Sequence, residues 1–236
     1  MMYRIVAGSL QIGIWGGELM GAQNLPEHGP AVLVGNHLGA LGPIAVAACV
    51  PRRLYPWVVS DMMDRRAAAE YLRIDFIEKS LTLKQPVSGR LSAALSKITV
   101  PLLRSVGCVP VYSDPERRNT TLSLSVELLA RNQIVLIFPE DPLRPADPQL
   151  GMAPFKKGFT RLGELLFARN GSRLRFYPLA VDATERVVQL GTPVTYIPNT
   201  VPAAERLRIK TLLERTVHEM LLALRAGPFL GVTLPQ

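Results

Sequence analysis

Short apolar runs alternate with amphipathic stretches along most of this chain, and this alternation restricts the fold more than any other feature of the sequence. The short runs predict strands, and the amphipathic stretches predict helices. The predicted strands are 31–34, 54–59, 109–112, 134–138, 173–181 and 187–190. The predicted helices are 44–50, 91–103, 120–131 (with Asn119 as its N-cap), 159–168 and 203–226. Strands interleaved with helices indicate the α/β class.

The length of the chain fits one domain. It has 236 residues, of which 48% are apolar, enough to bury a sizeable core. The stretch from about 61 to 90 has a helical part followed by a polar turn at 84–89. We therefore expect a single domain over 1–236 that carries an inserted helical cap at about 61–90.

The charge of the chain favours anionic partners. Lys and Arg number 27 against 19 Asp and Glu, a formal net charge of +8. Phospholipid surfaces, phosphorylated substrates and coenzyme A all fit this charge. Nucleic acid does not, because the chain has only 6% aromatic residues and no zinc pattern or recognition helix.

The sequence is typical of a cytoplasmic protein at the inner face of a membrane. In residues 1–20 glycines and charged residues interrupt the apolar residues, so this segment is too short to span a bilayer, and it lacks the basic start, apolar core and cleavage site of a signal peptide. The only cysteines, Cys49 and Cys108, lie in apolar stretches, which favours a reducing compartment. The last predicted helix has an apolar face and a basic face, formed respectively by Ile209, Leu213, Val217, Met220 and Leu224, and by Arg206, Arg208, Lys210 and Arg215. Such a helix either lies on an anionic membrane or packs on the core.

One apolar strand leads directly to a histidine. The segment 31–44 delivers Asn36 and His37 into a loop before a helix, which opens with Gly42 as a predicted N-cap and Pro43 at its first position. A histidine at the exit of a strand is rigid yet reachable, as a general base must be. A structural histidine fits this segment equally well. His28 and His218 show no partner spacing, and we assign them to structure or solvent.

A second apolar strand, 134–138, is followed by Pro139 and Glu140. A proline-rich loop containing Arg144 comes next, and then Lys156 and Lys157. A buried strand that ends in an acid and leads to two lysines fits a site for a phosphate. A solvated loop is the alternative.

Together these segments resemble the glycerolphospholipid acyltransferases, of which the lysophosphatidic acid acyltransferases are the best-known members. That family has Asn-His, four residues and Asp-Pro, then Phe-Pro-Glu-Gly-Thr-Arg-Ser, Phe-Lys-Xaa-Gly and a final apolar strand containing proline. The matching residues here are Asn36, His37, Pro43, Phe138, Pro139, Glu140, Phe155, Lys156, Gly158 and the strand from Tyr177 to Val181. The resemblance covers about residues 20–195.

The resemblance implies a single-domain sandwich of a mixed, largely parallel sheet flanked by helices. It also implies an enzyme that transfers a fatty acyl group from acyl-coenzyme A or acyl carrier protein to a hydroxyl of a lysophospholipid or related glycerol phosphate. The catalytic group would comprise His37, Asn36 and Glu140, with no metal and no cofactor beyond the acyl donor. The anion-binding residues would be Arg117, Arg118, Arg144, Lys156 and Lys157.

The chain departs from the family pattern at three places. Gly42 stands where the family has the aspartate that orients the histidine. Ser113 replaces an arginine, with Arg117 and Arg118 close downstream, and Arg144 is displaced by one position. Asp61, at the end of another predicted strand, is a candidate surrogate for the missing carboxylate; capping of the following helix is the preferred alternative.

Two function classes therefore stay open. The first is an acyltransferase that is slow or has an altered substrate, and the second is a catalytically impaired homologue that binds acyl or phospholipid ligands. The chain has no Gly-Xaa-Ser-Xaa-Gly, phosphate-loop or His-Glu-Xaa-Xaa-His motif, which removes support for serine hydrolases, nucleotidases and zinc proteases.

Overall fold

The computed structural model describes residues 15–39, 41–78, 82, 84–114 and 116–226. Its contacts divide the chain into two compact units, residues 1–54 with 126–236, and residues 55–125. The strands are β1 (Glu18–Met20), β2 (Ala31–Gly35), β3 (Leu54–Val59), β4 (Val109–Val111), β5 (Ile134–Ile137), β6 (Arg175–Asp182), β7 (Val187–Leu190) and β8 (Val194–Thr195). The helices are α1 (Leu41–Cys49), α2 (Arg65–Tyr71), α3 (Val87–Val106), α4 (Arg118–Ala130), α5 (Arg161–Asn170) and α6 (Pro202–Arg225). A π-helical segment, Leu72–Glu78, follows α2.

The first unit is built on a mixed, largely parallel sheet, which confirms the predicted fold class. Its strands run in the order β1, β7, β6, β2, β5. The pairs β1–β7, β2–β6 and β2–β5 are parallel. The pairs of β6 with β7 and with β8 are antiparallel. β2 and β5 are buried along their whole length, as strands covered on both faces must be, so they read as unbroken apolar runs.

The core of this unit lies between the sheet and α1. Alternate residues of the central strands enter one buried cluster with Ala45 and Val46 of α1; these are Ala31, Leu33, Ile134, Leu136, Tyr177, Leu179 and Val181. Side chains alternate between the faces of a strand, so the intervening residues cover the opposite face. Trp15 belongs to the same cluster, which places the start of the described chain against the core.

Helix α6 also packs on this unit. Its N1 or N2 position is a proline, and the predicted apolar face is buried at Ile209, Leu213, Val217 and Met220. Leu224, assigned to the same face, is only half-buried. The predicted stop at Gly227 and Pro228 lies outside the described residues.

The second unit contains a pair of parallel strands and a helical layer. β3 pairs with β4, Trp57 opposite Val109 and Val59 opposite Val111. α2, the π-helical segment and α3 pack together. The segment 61–90, interpreted above as an inserted cap, lies within this unit, and its role as a cap stays a prediction.

Several predicted boundaries differ from the observed ones. α3 begins at Val87, inside the stretch that the sequence predicted as a polar turn, and ends before Gly107, whose φ is 85°. α4 begins at Arg118, so Asn119 lies within the helix and is not its N-cap. α1 begins at Leu41, so Gly42 lies within its first turn and does not cap it.

In the part of the chain that the structure describes, no helix is long and apolar enough to cross a membrane.

Candidate functional site

The ends of β2 and β5 bring two separate sequence motifs to one edge of the sheet. These strands are parallel neighbours, with Ala31 opposite Ile134 and Val34 opposite Ile137. His37 follows β2, and Glu140 follows β5. Ligands of open α/β sheets bind outside the carboxyl ends of the strands, which is where both residues lie.

The Glu140 carboxylate joins the two loops at this edge. The backbone N–H of His37 donates to its Oε1 over 2.5 Å, and the backbone N–H of Ala153 donates to its Oε2 over 2.8 Å. Burial raises the pKa of Glu140, and the two N–H donors oppose this rise without cancelling it. Glu140 therefore holds the main chain of His37 and leaves its imidazole free.

Asn36 fixes the base of the loop that carries His37. It is 1% exposed, its amide nitrogen donates to the Val181 carbonyl over 2.9 Å, and its amide oxygen accepts from the Val181 N–H over 2.8 Å. Before it, a Cβ at Gly35 would lie 2.8 Å from the Leu179 carbonyl oxygen, so the close approach of β2 to β6 requires glycine. This geometry gives Asn36 a positioning role, and direct participation in chemistry stays a prediction.

The His37 side chain reaches solvent beside an aromatic ring. The residue is exposed, and its ring lies edge-on to Phe138, with centroids 5.6 Å apart and planes at 80°. The surrounding protein partly desolvates the imidazole and lowers the pKa of His37. Among the described residues no carboxylate forms an ion pair with this imidazole. The His37 imidazole is therefore neutral at neutral pH, and no ion pair with a carboxylate of the described residues stabilises its protonated form.

Position 42 has room for a side chain near this histidine. A Cβ built on Gly42 would meet Asn36 O at 3.6 Å, Leu38 Cβ at 3.8 Å and Phe138 Cε1 at 3.8 Å, all ordinary van der Waals distances. Phe138 is the ring against which His37 packs. Position 42 therefore accommodates a Cβ without a clash.

The basic residues after Glu140 differ in how freely they could bind an anion. Lys156 Nζ lies 3.3 Å from Asp141 Oδ1. The Leu143 N–H and, more weakly, this lysine lower the pKa of Asp141. Arg144 and Lys157 are exposed and have no ion-pair partner among the described residues. Among the described residues these two cations form no ion pair within 4 Å, although the charge of Arg144 also helps to lower the pKa of Asp141.

Arg117 and Arg118 belong to the second unit, after β4. The Arg117 guanidinium lies 3.9 Å from the centroid of the Tyr112 ring. Arg118 donates to the Ser113 carbonyl from Nε and Nη2, over 3.3 and 3.1 Å. Both arginines stay exposed, so each could still contact an anion while held in place.

Asp61 also belongs to the second unit. It lies in a 3₁₀ turn, Ser60–Met63, and accepts a long hydrogen bond of 3.4 Å from the Ser60 hydroxyl. The expectation that it caps the following helix is wrong: Asp64 caps α2, accepting from the N–H groups of Arg66 and Ala67. Its role as a surrogate acid stays a prediction.

Helix α6 holds the loop that follows Glu140. Glu214 Oε2 accepts from the Phe155 N–H over 2.5 Å, and Arg225 donates to the carbonyls of Gln149 and Leu150. His218 Nε2 lies 3.7 Å from Asp147 Oδ2, so this histidine does have a partner.

A shallow pocket of about 290 Å³ opens between this loop and α6, lined by Pro145, Ala146, Asp147, Met152, Ala153, Pro154, Glu214 and His218. Within the described part of the chain, no group of three or more His, Cys, Asp or Glu side chains could hold a metal ion.

A solved acyltransferase structure has the same fold. The crystal structure of the 1-acyl-sn-glycerophosphate (LPA) acyltransferase PlsC from Thermotoga maritima matches with a TM-score of 0.54 and 13% sequence identity. The match covers 92% of this chain and 79% of that chain. No protein-family model matches the chain, and no curated protein matches its sequence.

The sequence did not reveal the residues that hold the candidate site together. Ala153 and Val181 act through their backbones, which carry no sequence signature. Glu214, His218 and Arg225 recur on one side of α6, at helical spacing, and this periodicity was the available signal. Their partners lie in a loop far away in sequence, so the periodicity alone did not identify what they hold.

Proposed function

We propose that this protein is an acyltransferase. It would transfer a fatty acyl group from acyl-coenzyme A or acyl carrier protein to a hydroxyl of a lysophospholipid or related glycerol phosphate. The observation that carries the proposal is the hydrogen bond from the His37 N–H to Glu140, because it joins the two motifs of the acyltransferase pattern at the ligand-binding edge of the sheet. The shared fold supports it.

In the proposed reaction His37 is the general base. Its neutral imidazole takes the proton of the acceptor hydroxyl as the oxygen attacks the thioester carbonyl carbon. The C–S bond then breaks, and the departing thiolate takes the proton from the imidazolium. The products are an ester and a free thiol, with no change in oxidation state, so the acyl donor is the only co-substrate. Asn36 and Glu140 position the main chain of His37.

We assign the binding of anionic groups to the cations near Glu140. Arg144 and Lys157 are exposed and unpaired among the described residues, and Lys156 would exchange Asp141 for a phosphate. Arginine grips phosphate through two hydrogen bonds, whereas lysine acts as a point charge. Arg117 and Arg118, in the second unit, stay predicted anion-binding residues.

A catalytically impaired homologue that binds acyl or phospholipid ligands is the second candidate. The specific observation in its favour is Gly42, together with the lack of an ion-pair partner for His37 in the described structure. Losing a comparable aspartate costs a serine protease about 10⁴ in rate. Such a protein would keep the ligand sites and lose turnover.

One assay separates these candidates. Purified protein is mixed with acyl-coenzyme A and lysophosphatidic acid, and the free thiol and phosphatidic acid are measured against a His37→Ala control. An enzyme gives equal amounts of both products, and the control gives neither. Ligand binding by both proteins, with turnover no higher than the control over a panel of donors and acceptors, would establish the binding role instead.

We also propose that the protein is cytoplasmic and binds reversibly to the inner face of a membrane. The net charge of +8 supports an anionic lipid surface. The proposed acceptor is itself a membrane lipid, so surface binding would bring the site to its substrate.

A further inference from the structure

Helix α3 buries three serines together with Val100 and exposes several apolar side chains on its other side. Ser88, Ser92 and Ser96 are 0%, 2% and 3% exposed and form a stripe at four-residue spacing. Their hydroxyls donate to Glu78 Oε1, the Gly89 carbonyl and the Ala93 carbonyl, respectively. The stripe faces the interior of the second unit, where α3 packs on α2.

The opposite side of α3 presents apolar side chains to solvent. Val87 is 56% exposed, Ile98 70% and Leu102 37%, and Ala94 and Pro101 are exposed between them. At 3.6 residues per turn these positions form one strip along the helix. A single exposed leucine is ordinary, but a continuous apolar strip marks an interaction site.

A row of cations borders this strip. Arg90, Lys97 and Arg104 are spaced so that they share one side of the helix, and all three are exposed. The helix contains no Asp or Glu. Arg104 donates to the Met63 carbonyl over 2.7 Å, whereas Arg90 and Lys97 have no carboxylate partner among the described residues.

Helix α6, the basic amphipathic helix identified from the sequence, differs in this respect. Its four basic residues all have carboxylate partners: Arg206 with Glu164, Arg208 with Glu205, Lys210 with Glu214 and Arg215 with Glu219. Its apolar face is buried. Leu207 and Leu222 of α6 are exposed, at 57% and 43%, but Arg215 and His218 lie between them on that side of the helix. α6 therefore lacks a continuous exposed apolar strip, and the four residues of its basic face are paired in the described structure.

We propose that α3 is the surface by which this protein docks on an anionic lipid bilayer. The apolar strip would enter the boundary of the acyl chains, and the cations beside it would contact headgroup phosphates, which is the arrangement of interfacial helices. A second copy fits less well, because an antiparallel two-fold contact would place the cation row of one copy beside that of the other. The inference rests on the membrane association proposed above and locates it on one helix.

The test is sedimentation with vesicles of phosphatidylcholine alone and of equal parts phosphatidylcholine and phosphatidylglycerol, without acyl donor or acceptor. We expect retention on the anionic vesicles that weakens with salt. The double variant Arg90→Gln, Lys97→Gln should partition about 25-fold less, at about fivefold for each cation. Ile98→Ser should partition about tenfold less and Ile98→Trp should partition more strongly.

A matched pair on α6, Arg206→Gln with Arg215→Gln, removes the same charge and should leave partitioning within about twofold. Equal losses from the α3 and α6 pairs would overturn the assignment to α3, as would α3 variants that bind like the wild type. A lipid-independent dimer that Ile98→Ser dissociates would assign the strip to a second copy. Absence of wild-type retention would refute the membrane association itself. Turnover with a water-soluble short-chain acceptor, measured separately, tests the acyltransferase proposal independently of either result.

Discussion

In the proposed reaction His37 must take up a proton without help from a neighbouring acid in the described structure. Its pKa is lowered because the surrounding protein desolvates the charged form. A lowered pKa keeps the imidazole neutral, and therefore able to accept a proton, to more acidic pH than usual. The same environment makes the imidazolium unstable, so the base is available but weak. These two effects lead to a prediction for position 42.

Gly42→Asp should raise thioester turnover by at least about tenfold, because general-base catalysis is worth about 10² to 10⁴ and a carboxylate would stabilise the imidazolium. The glycine site accepts a Cβ without a clash. The added charge should also raise the pKa of His37, so the acid limb of the profile of kcat/KM against pH should move to higher pH. Initial rates across a pH series measure both effects.

Two variants serve as controls for this substitution. Gly42→Asn has nearly the same shape without the charge, and His37→Ala in the aspartate background removes the base; neither should show the gain. A folded aspartate variant with unchanged turnover over a broad substrate panel would mean that Gly42 is not the sole defect. Ser113 and the segment 141–144 would then be the next residues to change, and the binding role would be favoured.

Glu140→Gln should destabilise the fold and reduce turnover. The carboxylate accepts two backbone N–H donors, and a glutamine amide can accept only on its oxygen, so one donor loses its partner. Loss of a hydrogen bond to a charged group costs about 1–3 kcal/mol in the free energy of unfolding, with the larger cost expected if the Ala153 N–H, the less exposed of the two donors, loses its partner; urea titration measures this cost. Glu185→Gln, at an exposed position, is the control. Equal unfolding midpoints for the two variants would contradict the anchoring role of Glu140.

At the scale of elements, the loop after β5 depends on α6. The Phe155 N–H, the carbonyls of Gln149 and Leu150, and Asp147 all meet side chains of this helix. The same loop supplies the Ala153 N–H to Glu140. Helix α6 is thus connected to the main chain of His37 through the loop after β5 and the hydrogen bonds of Glu140.

Glu214→Ala should therefore affect both stability and turnover. It leaves the Phe155 N–H without an acceptor and Lys210 without its partner, at a cost of about 1–3 kcal/mol in the free energy of unfolding. Glu219→Ala is the matched control, since Glu219 forms an exposed pair with Arg215 that is worth about 0–1 kcal/mol.

Urea unfolding and initial rates distinguish the two variants. Glu214→Gln keeps an acceptor for the Phe155 N–H and should recover part of both losses. If Glu214→Ala and Glu219→Ala had the same effects on both measurements, α6 would not hold the loop through Glu214.

The strands that the sequence predicted best have clear ends, and β2, β3, β5 and β7 were predicted to within a residue. β2 and β5 are unbroken apolar runs that are buried along their whole length, whereas β3 is mostly half-buried and β7 is interrupted by Gln189. β1 and β8 are too short to show a period, and they were missed. α3 was predicted to begin later than it does because its first turn is polar and it buries serines, contrary to the usual pattern.

At the scale of the whole molecule, the sequence predicted that His37 and Glu140 each follow an apolar strand, and the parallel pairing of these strands brings both residues to one edge of the sheet. It could not predict which charges pair with which across long separations. Asp182 and Arg225 show this: the aspartate is 0% exposed, and its Oδ2 accepts from Arg225 Nε over 2.8 Å. Neither residue stood out in the sequence, yet the pair ties β6 to the end of α6.

This buried pair predicts how stability depends on pH. Burial alone would raise the pKa of Asp182, but the hydrogen bonds from Arg225 and from the Glu185 and Thr184 N–H groups outweigh it, so the pKa is lowered. A carboxyl whose pKa is lower in the folded state stabilises the fold above its unfolded value of about 3.9. That contribution is lost as the pH falls through the lower, folded value. Urea unfolding from neutral pH to about pH 3 should show a decline in the free energy of unfolding, beginning near the ordinary carboxyl pKa of about 4.

Asp182→Asn should be less stable at neutral pH by about 1–3 kcal/mol, because the ion pair is lost inside the protein, and its free energy of unfolding should fall less steeply in acid. Glu219→Gln, at an exposed pair, should follow the wild-type curve. Parallel curves for wild type and Asp182→Asn would mean that other carboxylates carry the acid sensitivity, and that the tie between β6 and α6 does not depend on the charge of Asp182.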